Sequence, residues 1–363
     1  MGKVALVHDF LTTFGGAERV LAELAAMFPG APIYTLLADA NVAAAFKGHA
    51  VVTSSLNRHW LRNRPQLLIG KMPQAVEEFS FEEFDTVISS SGAFAHGAIT
   101  GPDTYHLCYC HSPMRYVWDW HSEYLSERGI MSVPAKAAAN QLLSPIRLWD
   151  SFAASRPDHY AANSKTVQRR ISHYYRQPST VVYPPVQTGF WVPGEEPQRY
   201  AITVSRLSTY KRVDALIRAC TIADIPLVVV GEGSERGSLE RLAASLGADV
   251  RFTGRIEDSE LLPLLQRASV FLYAAEEDFG IAPVEALSCG VPVVALGTGG
   301  TGETVVNGEN GLLFTHPEPD LIANCIRQVL AGTLALNRSQ ISQTAKQYGA
   351  IHFQDAVRAL LPG

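Results

Sequence analysis

Several things that would steer the reading of this chain are scarce or missing. Its five cysteines in 363 residues, Cys108, Cys110, Cys220, Cys289 and Cys325, show no zinc-like spacing. Cys108 and Cys110 alternate around Tyr109 as strand residues do, which argues against a disulfide or structural-metal framework. Excess positive charge is missing too: 30 Lys and Arg against 35 Asp and Glu leave a formal net charge of −5, so no global attraction to nucleic acid exists. No apolar run approaches the length of a bilayer span, and MGKVALVHDF enters a strand without a leader-like pattern, so a cytoplasmic protein is expected. Repeats and low-complexity tracts are lacking. So are a nucleophile elbow, a zinc-protease helix and a phosphate-loop consensus, which sets aside the commonest hydrolase and NTPase readings. Gly231, Gly233 and Gly237 miss the dinucleotide fingerprint and read as a turn.

What the chain has is 47% hydrophobic residues in apolar runs that alternate with helical patterns. KVALVHDF, APIYTLL, FDTVISSS and YHLCYCHS lie in the first half; YAITVSRL, PLVVVGEG, VRFTG, VFLYAAE and VPVVALG lie in the second. The fold class expected is α/β, with two facing Rossmann-like, doubly wound parallel-sheet domains and a cleft between them. Residues 1–185 form the first domain and 186–344 the second. A linker falls in the proline-rich stretch Val181 to Gln198, and a terminal helix within 345–363 carries Ala350, Phe353, Val357, Leu360 and Leu361 at helical spacing, a face that can pack back on the first domain or on the second. Ligands of such sheets bind beyond the carboxyl ends of strands.

The run YAAEEDFGIAPVEALSCGVPVVALGTGGTG, Tyr273 to Gly302, carries the most information. Asp278, Phe279 and Gly280 read as a turn, Pro283 belongs in the first turn of the next helix, and Glu277 and Glu285 fall before and within that helix. The two carboxylates stand roughly 10 Å apart along one edge, too far to share a proton but suited to gripping two parts of one ligand. Free N–H groups near Gly280 and Ile281 favour hydroxyl or phosphate oxygens. Gly297, Gly299, Gly300 and Gly302 suggest backbone that approaches a ligand closely.

In SRLSTYKR, Arg206 and Lys211 follow a strand. A planar guanidinium and a compact ammonium turned to one point suit a diphosphate, although a solvated basic loop would look the same. Gly15 and Gly16 sit between a strand and a helix, where amides can meet phosphate or acceptor oxygens. Glu18 reads as ordinary dipole compensation. His111 ends a strand in HSPMRYVWDW and can donate to a sugar hydroxyl or orient an acceptor, whereas His8, His59 and His96 read as packed or surface residues.

These segments, with ANSKTVQRRI, VVYPPV and FTGRI, cover nearly the whole chain and resemble the family-four retaining glycosyltransferases. The resemblance implies transfer of a sugar from a nucleotide diphosphate donor, with acceptor binding in the first domain and donor binding in the second. It assigns Arg206 and Lys211 to the diphosphate, Glu285 to the ribose, Glu277 to the transferred sugar, and backbone at Phe279, Gly280 and Ile281 to sugar and phosphate. Arg255 and Ile256 would edge the base, Gly15 and Gly16 would face the donor, and His111 would stand near the anomeric carbon. No metal cofactor is expected, because the cationic pair neutralises the leaving group; His111, Arg206, Lys211 and Glu277 form the catalytic set.

HSPMRY and ANSKTVQRRI are most similar to bacterial mannosyltransferases of surface-polysaccharide assembly, which favours GDP-mannose and a glycan or polyprenyl-linked acceptor. Asp278 stands where many relatives carry a small residue, a departure that bears on sugar selection. Arg58, His59, Trp60, Leu61, Arg62, Arg64, Leu67, Leu68, Ile69 and Lys71 mix cations with large apolar groups, as a segment held peripherally at the inner membrane face would. A UDP-sugar transferase, a nucleotide-sugar epimerase, a glycan phosphorylase and a two-domain sugar-binding protein are the rival readings.

Overall fold

The computed structural model describes residues 2–58, 64, 67–118, 133–194 and 196–362. It divides into two compact units, Met1–Pro185 with Phe353–Gly363, and Val186–His352.

The first unit is built on β1 Val4–Leu11, β2 Ile33–Ala38, β3 Val51–Thr53, β4 Thr86–Ser91, β5 Tyr105–Cys110, β6 His159–Ala162 and β7 Ser179–Val181. They lie in the order β3-β2-β1-β4-β5-β6-β7, and every pairing is parallel. Near-continuous apolar runs are what such strands need, because helices cover both faces. Helix Gly16–Met27 turns Val20, Leu21, Leu24 and Ala25 into the core beside Leu6, Ile33 and Ile88.

The second unit holds β8 Ala201–Val204, β9 Leu227–Val230, β10 Val250–Gly254, β11 Val270–Tyr273, β12 Val293–Leu296 and β13 Gly311–Phe314. Their order is β10-β9-β8-β11-β12-β13, again all parallel. Helices Val213–Ala223 and Pro319–Leu330 pack together over one face of this sheet.

In each sheet the chain starts in the middle, winds outward one way and returns to wind the other. The reversal lies between β1 and β4 in the first sheet and between β8 and β11 in the second. Loops leaving the carboxyl ends of such paired strands diverge and open a crevice.

Four strands escape the sequence pattern, β3, β6, β7 and β13, each only three or four residues long. The stretch from Val181 to Gln198 is more than a tether: Val182, Val186 and Trp191 are buried, and Val186 N–H donates to the Tyr348 carbonyl at 2.8 Å. That strap also corrects the C-terminal boundary. Tyr348 packs on Phe279 with ring centroids 5.6 Å apart, so residues up to His352 stay with the second unit and only Phe353 onward joins the first. Phe353 and Val357 enter the first unit's core, and the Tyr105 hydroxyl donates to the Leu360 carbonyl at 2.8 Å.

Of the basic and apolar segment 58–71, His59, Trp60, Leu61 and Arg62 lie outside the described residues. Leu68 and Ile69 are buried against Met72 and Leu143, whereas Leu67 is exposed; those two apolar groups therefore serve the core. Among the described residues no helix is long and apolar enough to cross a membrane.

Candidate functional site

In the second unit, the crevice edge is shaped by the loop after β8. Lys211 ends the short turn Thr209–Lys211, whose start at Ser208 is extended backbone. Its side chain is only 8% exposed. Lys211 Nζ donates to the Tyr273 hydroxyl at 2.9 Å and to the Glu277 carboxylate, and it lies 4.9 and 5.3 Å from the ring centroids of Tyr210 and Tyr273. Burial alone would draw the ammonium's pKa down. Tyr273, Glu277 and Tyr210 more than offset that, so it stands above the ordinary lysine value. Burial, followed by the Glu277 charge, raises the Tyr273 phenol. The result is a fixed cation at the end of β8, tied to a carboxylate at the end of β11.

Arg206 lies in the same loop but is exposed, and among the described residues its side chain has no hydrogen-bond or ion-pair partner. The two cations expected to act together thus differ: Lys211 is held by two partners and buried, whereas Arg206 is exposed.

Glu277 is positioned by glycine. Its backbone bridges to Gly299, and Gly300 N–H donates to its carbonyl at 2.8 Å. Gly299 has φ 71°, and a Cβ there would lie 2.3 Å from the Glu277 carbonyl oxygen; a Cβ on Gly300 would lie 2.2 Å from Phe279 Cα. These two glycines admit the protein's own loop. That corrects the expectation that their bare backbone faces a ligand. Gly280, φ 89°, precedes helix Ile281–Ser288 and offers no capping side chain, which leaves the first N–H groups of that helix for another acceptor.

Within the helix Glu285 is buried, close enough to Cys289 to help burial push that thiol up to about 12. Phe279 is buried and Ile281 half-buried. Arg255 is exposed just past Gly254, whose φ is 76°, and Ile256 is half-buried beside it.

The first unit's crevice edge contains groups that sequence reasoning passed over. Asp9, near the end of β1, is 7% exposed. Its Oδ2 accepts from Gly92 N–H at 2.6 Å and Ala93 N–H at 2.9 Å, and its Oδ1 from Phe94 and Ala95 N–H, each at 2.7 Å. One carboxylate therefore holds the whole loop after β4. An acidic residue closing an apolar strand was the available signal.

Gly15 N–H donates to Glu18 Oε2 at 2.8 Å, so this amide is already engaged; Gly16 opens the helix itself. Glu18 does more than offset a dipole, since its Oε1 lies 3.5 Å from His8 Nε2. His8 Nδ1 lies 3.2 Å from Ser90 Oγ, which lies 2.8 Å from His111 Nε2. His111 keeps some exposed surface, yet packing around it, and secondarily His8, pulls its pKa down to about 3. It is neutral near pH 7.

His96 has a buried role as well. Its Nε2 lies 3.3 Å from Asp150 Oδ1, and Asp150 also accepts from Trp118 Nε1 at 2.7 Å and from the Tyr175 hydroxyl at 3.1 Å. This hub anchors the segment that runs on from His111.

Two family models match the chain: glycosyltransferase family 4 over residues 14–190 and glycosyl transferases group 1 over residues 189–348. A GDP-mannose-dependent alpha-(1-6)-phosphatidylinositol monomannoside mannosyltransferase of Mycolicibacterium smegmatis is 35% identical over 145 residues, 36% of this chain and 38% of that protein. A D-inositol 3-phosphate glycosyltransferase of Geodermatophilus obscurus is 31% identical, over 56% of this chain and 51% of its own. The chain thus spans about a third to a half of the length of the curated relatives it matches. Among solved structures, HepE of Anabaena in complex with UDP and glucose superposes with a TM-score of 0.72 at 20% identity, covering 99% of each chain. Sucrose-phosphate synthase of Thermosynechococcus elongatus gives 0.74 at 16% identity, covering 98% of each. At these identities the structural likeness establishes the fold: two Rossmann-like α/β domains.

Proposed function

The chain belongs to the family-4 glycosyltransferases and is related to bacterial mannosyltransferases, and from that premise we propose that it moves a hexose, with retention, from a nucleoside diphosphate donor to a glycan or polyprenyl-linked acceptor. GDP-mannose is the favoured donor, and surface-polysaccharide assembly on the cytoplasmic side of the membrane is the setting. The observation that carries this reading is the buried Lys211, held by Tyr273 and Glu277 where β8 and β11 diverge.

In this reading Lys211 meets the diphosphate, and the exposed Arg206 closes on it when donor arrives. Together they neutralise charge as the nucleoside diphosphate leaves, without a metal. Glu277 accepts from hydroxyls of the transferred sugar, and the N–H groups at Gly280 and Ile281 donate to sugar or phosphate oxygens. Glu285 takes the ribose hydroxyls, Arg255 and Ile256 edge the base, and backbone at Phe279 joins Gly280 and Ile281 in the sugar and phosphate contacts. In the first unit, Gly15 sets the turn before the helix that Gly16 opens, and His111 follows β5 as a group able to meet a sugar or phosphate oxygen.

A retaining double displacement needs a carboxylate nucleophile. Glu277 is engaged by Lys211, which favours front-face substitution, in which the departing phosphate oxygen takes the acceptor hydroxyl's proton.

Names of relatives pull the donor base two ways. The mycobacterial protein's description favours guanosine, whereas the UDP complex of HepE supports uridine as the second reading. A melting-temperature screen with GDP, UDP and ADP and their sugars discriminates them, since a ligand of the native state raises its stability. Donor turnover with and without acceptor then separates a transferase from an epimerase or a sugar-binding protein. Lys211→Ala is expected to lower kcat about a hundredfold, the loss typical of one preorganised donor. Near-normal turnover in that variant would remove the assignment.

A further inference from the structure

At the ends of β1, β4 and β5, the protons on a pair of histidines can be placed by elimination. His8 Nδ1 lies 3.1 Å from the Ser90 carbonyl oxygen and 3.2 Å from Ser90 Oγ. A carbonyl oxygen only accepts, so His8 Nδ1 must carry the hydrogen. That N–H donates to one lone pair of the Ser90 hydroxyl. Among the described residues the hydroxyl's other partner is His111 Nε2, at 2.8 Å, so its own hydrogen is satisfied only by donating there. On the far side of His8, Glu18 Oε1 lies 3.5 Å from Nε2; a proton there leaves the Nδ1 donor in place.

His111 Nε2 is therefore an acceptor. A neutral imidazole that accepts at one nitrogen carries its proton on the other, and the low pKa of His111 keeps the ring neutral. The ring is also braced, edge-on to Tyr109 at 5.3 Å and to His8 at 6.5 Å between centroids. Among the described residues nothing accepts from its Nδ1.

We infer that Ser90 and His8 are positioning residues that lock His111 in the Nδ1–H form, so that His111 offers a fixed hydrogen-bond donor to a sugar or phosphate oxygen and does not act as a base. The use made of that N–H rests on the transfer reading above; the tautomer does not.

Histidine-specific 15N labelling of the full chain and a long-range proton–nitrogen correlation spectrum read the tautomer directly, with His111→Gln assigning the signals. The wild-type protein is expected to show a protonated Nδ1 and an unprotonated Nε2 on His111. Ser90→Ala should release that preference, and Ser90→Thr, which keeps the hydroxyl, should restore it. In transfer assays Ser90→Ala should lower kcat by roughly tenfold to a hundredfold, the range found when the partner orienting a metal-bound imidazole is removed, with KM little changed.

A protonated Nε2 in the wild-type chain, or an unchanged tautomer in Ser90→Ala, overturns the inference whether or not the variant is active. A shifted tautomer with unaltered kcat overturns the role in the reaction. The expected tautomer in a wild-type protein that consumes no nucleotide sugar would support the lock and sink the transfer reading.

Discussion

Asp9 is an unusually concentrated contact for one side chain. Both of its oxygens are saturated by backbone N–H groups of residues 92 to 95, two on each, and asparagine can replace only one of those oxygens. Its NH2 group would face two N–H donors in a nearly dry site, where an unmade hydrogen bond to a charged acceptor costs about 1.5–3 kcal/mol. Asp9→Asn is therefore expected to destabilise the chain by about 3–5 kcal/mol in urea unfolding. A change under about 1 kcal/mol would mean that the loop is held by something else. This contact also marks the limit of sequence reading at this scale. Lys211 and Glu277 could be singled out as candidates because each sits in a short segment of its own character, but their pairing with each other could not be read. Asp9 and Ser90 could not be singled out, since the Asp9 contacts and the Ser90–His8 contact each join positions more than eighty apart and the Ser90–His111 contact joins positions 21 apart.

At the scale of elements, long apolar runs announced their strands, and the glycine run after β12 announced a close approach. What approached could not be read, because a bare Cα looks the same under a ligand as under another loop. The distinction is testable by comparing two glycines of similar φ. Gly308, at φ 84°, has nothing within 4 Å of a built Cβ, whereas the Cβ of Gly299, at φ 71°, would press on the Glu277 carbonyl. Gly308→Ala should cost only the left-handed backbone penalty, about 1–2 kcal/mol. Gly299→Ala adds overpacking against backbone, bringing the total to about 3–4 kcal/mol. It should also weaken binding of whichever nucleotide raises the melting temperature, because it displaces Glu277. Equal stability losses at the two positions would show that the loop after β11 yields freely.

For the whole molecule, the alternation of runs indicated two parallel sheets, while the route of the C-terminus depended on packing at Tyr348 and Phe353 that no periodicity encodes. A property that belongs to this scale is the dependence of stability on pH. Burial pulls His96 down to about 4, His106 to about 3 and His111 to about 3, all from 6.5. Arg156 lowers His96 further, His96 and Arg156 lower His106, and His8 lowers His111. As pH falls below 6.5 the unfolded chain takes up protons that these folded rings refuse, so each contribution is complete above 6.5 and fades toward 3 or 4.

Asp150 works the other way. Burial pushes its carboxyl up from 3.8 to about 7, so between those values the folded chain keeps a proton that the unfolded chain releases, and stability declines as pH rises. From pH 4 to 6.5 three imidazoles oppose one carboxyl, and the melting temperature is expected to climb across that interval. His106→Asn, which removes one refusing ring, should flatten the climb; Asp150→Asn, which removes the opposing carboxyl, should steepen it. A melting temperature that stays level or falls from pH 4 to 6.5 in the unaltered chain would mean that Asp150 outweighs the histidines, and the buried hub at His96 would then have to be charged in the folded state.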